Sequence, residues 1–485
     1  MLAVSQSGVP FQCKCRFHIG FGLGYSPADG GYAQLYAPQG RRSSWKQDCS
    51  NHSRPFEALV ERQDNSPKFL SYEELPRSFH RWKWRVLLSF AFFYLFLYLG
   101  RFNFWPIAPL VKEELALTHF EIGLINALLL WGFGLGDLVH GRLAEAYGLR
   151  LWVLLGAFLT VVFNWVASFG TSAMSIAIPW GINGFVNAAC WAPALSMISQ
   201  WWPRRDRGMA MGIVGTATGG AMLIMWWISG WVGIEFGWRA AFRYPPLIIL
   251  VMALAFYFLA RDRPADVGLP DYIEEDETSA EPEAISEEQL RGFGPYRELL
   301  SNPRFHLASH VKGLENVVRY GLTTWVPIYY FEAGGLSIES TVLLTVLLPV
   351  GYLLAPPVSG LISDRLLHSA RRPLVLASCF ISTGALIGIA LAPPSDVYLG
   401  AALLLIGGVS MGLSPMSTVA IDMAGRKLAG TAVGLLDAHG YAYAGAQAII
   451  FSLVLDMSGS PWPTVFLAMA GTRVLSAAMM ARVKI

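Results

Sequence analysis

Two stretches of this chain repeat one pattern. GRLAEAYGLR begins at Gly141 and GLISDRLLHSARR at Gly360, and the acidic residues Glu145 and Asp364 fall at equivalent places within them. Arg101 and Arg319 are separated by the same offset to within one residue. Each lies in the middle of a segment apolar enough to cross a membrane, LSFAFFYLFLYLGRFNFWPIAPLV and HVKGLENVVRYGLTTWVPIYY. A constant offset on this scale marks a duplicated chain, so whatever the first half folds into, the second folds into as well. A charged side chain at bilayer depth costs about 2.5–3.5 kcal/mol on insertion scales, so each arginine marks a function or a partner.

Crossing the hydrocarbon core takes about 20 mainly apolar residues. Such stretches fall at about 86–110, 121–140, 151–170, 173–200, 209–233 and 239–260, and again at about 305–331, 338–362, 373–392, 397–420, 429–455 and 463–481. Only 14% of residues are charged, where a soluble chain carries roughly 25%. The expected fold class is an all-α membrane protein, with 12 transmembrane helices in two pseudo-symmetric six-helix bundles at 81–260 and 304–485. Between them, 261–303 holds EEDETSAEPEAISEEQ, too charged and too rich in Pro and Glu to pack or insert, and reads as an acidic cytoplasmic linker. Gly208, Gly212, Gly215 and Gly219 line one face of the fifth span, a pattern that suits close helix packing in lipid.

Basic residues of short loops are retained on the cytoplasmic side. The even loops hold Arg142 and Arg150, then Arg204, Arg205 and Arg207, then Arg365, Arg371 and Arg372, then Arg426 and Lys427. The odd loops offer only Lys112, Arg239 and Arg243 near their ends. Both termini and the linker are therefore expected in the cytoplasm, and the chain in the cell (inner) membrane, with an organellar membrane as the alternative. Residues 1–80 contain no apolar span and no signal-peptide core. Their Arg- and Ser-bearing, acid-poor first part, up to about Arg54, leaves a transit peptide, a disordered tail and a start placed too early as readings.

The net charge of +2 is too small and too dispersed to suggest nucleic acid. Cys13, Cys15, Cys49, Cys190 and Cys379 lie mostly outside metal-ligand spacing, and Cys13 and Cys15 with His18 lack a second ligand pair, so neither a metal nor another cofactor is expected. No nucleophile elbow, Walker loop or HExxH run appears, and GIVGTATGGA sits in an apolar helix with no preceding strand, so an enzyme is not expected either.

Residues at i, i+4, i+7 and i+11 share a helix face. In the first span that face is Tyr94, Tyr98, Arg101 and Trp105; in the seventh it is Lys312, Asn316, Arg319 and Thr323. Two such helices related by pseudo-two-fold symmetry aim their arginines at one central cavity. The planar guanidinium fork suits bidentate binding of phosphate or carboxylate, so the expected partner, besides the bilayer, is a small anionic substrate. The competing reading is an internal ladder in which Glu315 neutralises Lys312 and Arg319, with Asp137, Glu121 or Asp437 as a silent partner for Arg101.

At this point the chain resembles a known family. The GxLxE/DxxGxR-type loops repeated across a 6+6 chain look like the major facilitator superfamily. YLFLYLGRFNF, WWPRRDRG, ARDRPADVGLP and VVRYGLTTWVPIYY are similar to segments of its organophosphate:phosphate antiporters, the glycerol-3-phosphate and hexose-phosphate transporters among them. The resemblance covers about residues 82–485. It implies that Arg101 and Arg319 bind phosphate, that Tyr94 and Tyr98 assist, and that a phosphorylated metabolite is exchanged for inorganic phosphate by alternating access. Three positions depart from the family: Thr218 stands where those relatives have a fifth-helix histidine, Asp137 where they have a second-helix lysine, and Phe133 where they have a tyrosine. A cation lost and an anion gained favour a monoanion or carboxylate over a dianionic phosphate, with Lys312 partly restoring charge.

Two alternatives stand beside exchange. The anion:cation symporters share the first-helix arginine and would need a titratable carrier, for which Asp437 with His439, or Glu315, are the coupling candidates. Other chains of this architecture sense an external sugar phosphate and move nothing. The expected mechanism is a rocker switch about Arg101 and Arg319 in a monomer. Gly141, Glu145 and Arg150, with Asp364 and Arg365 in the second half, would form cytoplasmic latches. Arg473 in the last span has no counterpart in the sixth and no assigned role.

Overall fold

The protein is described by a computed structural model covering residues 74–202, 204–270, 294–362, 371–457 and 462–483, and these residues contain helices and no strand. The first half holds α1 (Arg77–Leu97), α2 (Phe104–Glu114), α3 (His119–Tyr147), α4 (Leu149–Ser168), α5 (Ala173–Ala188), α6 (Ala192–Trp201), α7 (Arg204–Phe236), α8 (Trp238–Arg243) and α9 (Pro245–Leu259). The second holds α10 (Gly294–Ser301), α11 (Pro303–Glu332), α12 (Ile338–Thr345), α13 (Leu347–Leu361), α14 (Arg372–Leu391), α15 (Val397–Gly412), α16 (Met416–Leu455) and α17 (Trp462–Met480). Among the described residues ten stretches are long and apolar enough to cross a membrane. The other two expected spans are α5 with α6, broken at 189–191, and α11, which carries Lys312, Glu315 and Arg319 in its middle. The count is consistent with twelve crossings.

Several boundaries differ from the sequence reading. α1 begins at Arg77, inside the segment assigned to the N-terminal tail, with Leu75 and Phe79 already buried. Met416–Leu455 runs as one 40-residue helix through the Arg426–Lys427 segment that reads as a loop. The start of the acidic linker is also ordered. Asp262 accepts from the backbone N–H groups of Leu149 and Arg150 (3.2 Å each), and the Arg150 guanidinium pairs with the same carboxylate at 2.9 Å. A carboxylate at the free N–H groups of a helix start completes bonds that the helix cannot make for itself.

The duplication shows in the packing. α3 lies against α5 in the first half as α13 lies against α15 in the second. Both contacts are close enough to require glycine: a β-carbon on Gly184 would run into the Leu129 carbonyl, and one on Gly408 into that of Leu348. Such approach lets van der Waals contact do in lipid what hydrophobic burial does in water. The Gly208–Gly219 stripe is used differently from the sequence expectation. Gly219 packs on Leu353, while Gly212 and Gly215 face open space, as does Gly434 on α16.

The halves meet through α3 on α16, α7 on α13, and α2 on α11. Trp131 of α3 donates to the Ala442 carbonyl of α16 at 3.2 Å. At the odd-loop end a polar network joins four elements across the divide. Lys112 donates to Glu332 at 2.6 Å, His119 lies 2.9 Å from both Glu332 and Asp456, and Asp456 also accepts from the backbone N–H groups of His119 (3.0 Å) and Phe120 (2.8 Å). Glu332 ends α11, beyond its apolar span; burial alone would raise its carboxyl, but hydrogen bonds from His119 and Lys112 hold it below the usual value. The odd-loop end is thus closed by charge pairs that link the two halves.

Two outcomes follow. Gly184→Val and Gly408→Val should each destabilise the purified protein by about 1–3 kcal/mol or prevent folding, read as a fall in thermal midpoint in detergent. A double-mutant cycle on Lys112→Met and Glu332→Gln should give a coupling of about 0.5–3 kcal/mol near neutral pH. Because the folded-state carboxyl is depressed, this coupling is present above the ordinary carboxylate range and is lost as pH falls through the lowered value.

Candidate anion site at the helix break

The site begins with a defect in a helix. α1 tightens into a 3₁₀ turn at Tyr98–Gly100, opens over 101–103 and restarts as α2. Pro106 explains the break: it has no N–H for the carbonyl four residues earlier, and its ring crowds that carbonyl. In lipid the freed groups need partners. The Gly100 carbonyl accepts from Asn164 and Asn183 at 2.8 Å each, and Asn103 donates to Asn164 (3.1 Å) and to the Ala241 carbonyl (3.0 Å). All three asparagines are fully buried. Gly100 is required where it stands, since the Ile249 and Thr160 side chains lie 2.7 Å from where its β-carbon would be.

This arrangement presents Arg101 at the opening. The residue is 3% exposed, and its guanidinium lies 3.3 Å from the Phe133 ring centre and 4.4 Å from that of Phe102. Nη2 donates to the Tyr441 hydroxyl of α16, in the opposite half, while Nε has no hydrogen-bond partner among the described residues. Tyr320, the neighbour of Arg319, donates to the same hydroxyl at 3.3 Å. Arg319 is half-buried, 4.5 Å from the ring centre of Tyr352 on α13. Among the described residues no carboxylate pairs with either arginine. Two guanidinium groups, one from each repeat, therefore lie among aromatic rings and hydroxyls with no carboxylate in ion-pair contact among the described residues, and such a pair is complementary to an anion.

The other candidates sort clearly. Tyr94 is buried against Trp191 (4.9 Å) and Tyr98 (5.8 Å), and Tyr98 lies within electrostatic reach of both arginines. Trp105 stacks on Phe102 at 4.0 Å and donates to Asn126 at 2.8 Å, and the Thr323 hydroxyl donates to backbone within its own helix; both roles are structural. Lys312 lies 3.8 Å from both Glu315 and Asp437, and Ser414 donates to Glu315 at 2.5 Å, so the expected ladder forms but stops short of Arg319. Asn316 is buried with its Oδ1 unpartnered. Of the silent partners considered for Arg101, Glu121 caps α3 with Thr118 instead. Thr218 donates to the Val214 carbonyl of its own helix.

His439 bonds to the Leu435 carbonyl at 3.0 Å and turns edge-on to His310; no hydrogen bond joins it to Asp437. Of the latch residues, Arg150 is engaged by Asp262. Asp364 and Arg365 lie outside the described residues, as do the surroundings of Gly141 and Glu145 on α3. Arg473 is buried and donates to Ser378 at 2.6 Å. Sequence reasoning missed Tyr441, Tyr320 and Tyr352, and the asparagines that hold the break. Their signal was present: GYAYAG follows Asp437 by three residues, and Asn164 and Asn183 interrupt apolar spans.

The model of the Major Facilitator Superfamily matches residues 90–447. The chain belongs to that superfamily. It is a multi-pass integral membrane protein, and it is 28% identical over 419 residues to the glycerol-3-phosphate transporter of Bacillus subtilis, covering 82% of this chain and 90% of that protein. It is 25% identical over 426 residues to a probable hexose phosphate transport protein of Chlamydia trachomatis, covering 83% and 91%. In fold it is similar to a bacterial homolog of the human lysosomal transporter Spinster, inward-facing and unoccupied, with TM-score 0.63 and 14% identity, covering 82% of this chain and 95% of that one. These members of the superfamily are transporters, not enzymes.

Asn183→Leu should remove one of the two donors to the Gly100 carbonyl and cost about 1–3 kcal/mol. Thermal unfolding in detergent would read the loss, and weaker anion binding should accompany it, because the break that presents Arg101 relaxes.

Proposed function

We propose that the protein is a secondary active transporter that exchanges a phosphorylated metabolite for inorganic phosphate, with Arg101 and Arg319 holding the anion between bundles at 81–260 and 304–485. The observation that carries the reading is the pair of arginines, one per repeat, neither in an ion pair among the described residues: Arg101 donates to the Tyr441 hydroxyl, and Tyr320, next to Arg319 in sequence, donates to the same hydroxyl. The glycerol-3-phosphate and hexose phosphate relatives support the substrate class. With the even loops and both termini in the cytoplasm, as their basic residues favour, closure at the odd-loop end makes this an inward-facing state. Bound anion offsets the mutual repulsion of the arginines, draws the halves together and closes the inner end. The Lys112–Glu332–His119–Asp456 network then separates to open the outer one. A monomer suffices for this cycle.

Uptake of labelled phosphate into phosphate-loaded proteoliposomes tests the reading: exchange that sugar phosphates inhibit is expected, whereas binding without flux would make the chain a sensor. Arg101→Lys and Arg319→Lys each keep the charge but lose the planar fork, and should weaken phosphate affinity by about tenfold or more, near 1.4 kcal/mol each. Unchanged affinity in both would remove the arginines from the site.

A further inference from the structure

Asp137 lies one helical turn beyond Phe133 on α3, and Asp437 one turn before Tyr441 on α16. Phe133 and Tyr441 are in ring contact at 4.9 Å, and both touch Arg101. α3 runs from the odd-loop to the even-loop end and α16 runs back, so both aspartates fall on the even-loop side of the arginine layer. Their charges act on one another and on Arg101. On that side Lys312 is shared between Glu315 and Asp437 at 3.8 Å each, and among the described residues Asp137 has no ion pair and an unpartnered buried Oδ1. A second acceptor faces the same region. Asn316 is 3% exposed, lies between Lys312 and Arg319 on their shared face, packs on Gly440 and leaves Oδ1 without a hydrogen bond.

Charge is therefore split between two layers, with two arginines free of ion pairs among the described residues in one and a surplus of carboxylates one turn below. We infer that the site selects a zwitterionic organophosphate, its phosphate on Arg101 and Arg319 and a cationic amine on Asp137 and Asp437, with Asn316 accepting a further N–H. This deepens the proposed function and rests on it. A neutral polyol phosphate satisfies the arginines and leaves the carboxylate surplus unmatched. An ammonium group removes that surplus and supplies donors to the two acceptors that lack them, Asp137 Oδ1 and Asn316 Oδ1. One helical turn is about 5 Å, which a short chain between phosphate and amine, as in an O-phosphoalkylamine or an amino-sugar phosphate, can span.

The test is competition against labelled-phosphate exchange in proteoliposomes, with matched pairs that differ in one group: glucosamine 6-phosphate against glucose 6-phosphate, and O-phosphoethanolamine against ethylene glycol monophosphate. The amine member of each pair should inhibit at about tenfold lower concentration, a charge-assisted preference. That ratio should fall toward one in Asp137→Asn and in Asp437→Asn, whatever happens to the exchange rate itself. Because the ratio is internal to each variant, a partial folding defect does not mimic the result. Equal inhibition within each pair, or a preference that survives in both variants, overturns the inference while leaving phosphate exchange standing. If preference is absent and exchange instead depends on an acid-outside gradient through Asp437, the carboxylates carry protons and not an amine. Absence of any phosphate exchange in the parent protein overturns the proposed function and the inference with it.

Discussion

The structure turns on two arginines held in the membrane with no ion-paired carboxylate among the described residues. A lone arginine at that depth is costly, and this chain meets the cost with geometry in place of a carboxylate. Pro106 breaks the first helix, Asn164 and Asn183 donate to the freed Gly100 carbonyl while Asn103 donates to Asn164, and the guanidinium lies over Phe133 with one nitrogen on Tyr441 and one unpartnered among the described residues. The ring faces supply part of the stabilisation that water would give, since a cation over an aromatic face contributes about 0.5–2 kcal/mol. What remains unmet is the capacity for an anion.

That unmet capacity joins the two halves. Tyr441 accepts from Arg101 of the first half and from Tyr320 of the second, so the site is shared across the same divide that the outer network closes. The glycine contacts within each half, Gly184 on Leu129 and Gly408 on Leu348, make each a tightly packed body. Packed bodies move by tilting and not by deforming, and polar bonds between them can be exchanged for others at modest net cost.

How much of this the sequence reveals depends on the range of the interaction. The duplication, the helical membrane class and the two arginines follow from local composition and spacing, because lipid imposes length and polarity on each segment separately. The lining of the site does not. Tyr441 is 340 positions from Arg101, and no periodicity within one helix says which neighbour its hydroxyl meets. Lys312 shows both sides of this: Glu315 is legible as an i+3 partner, but Asp437 reaches it only through the packing of α11 on α16. The run from Met416 to Leu455 reads as two spans and a loop since basic residues interrupt its apolarity, yet its backbone stays helical throughout.

The central claim is that Arg101 and Arg319 hold one anion together. Equilibrium binding of labelled phosphate to the purified protein, for the parent, Arg101→Gln, Arg319→Gln and the double variant, tests it most directly. The account predicts a single site per chain, strong loss in either single variant and little further loss in the double, because a divided site fails when either half is removed. Two sites in the parent, or losses that simply add, would mean that the arginines act independently, and the shared central site would be wrong.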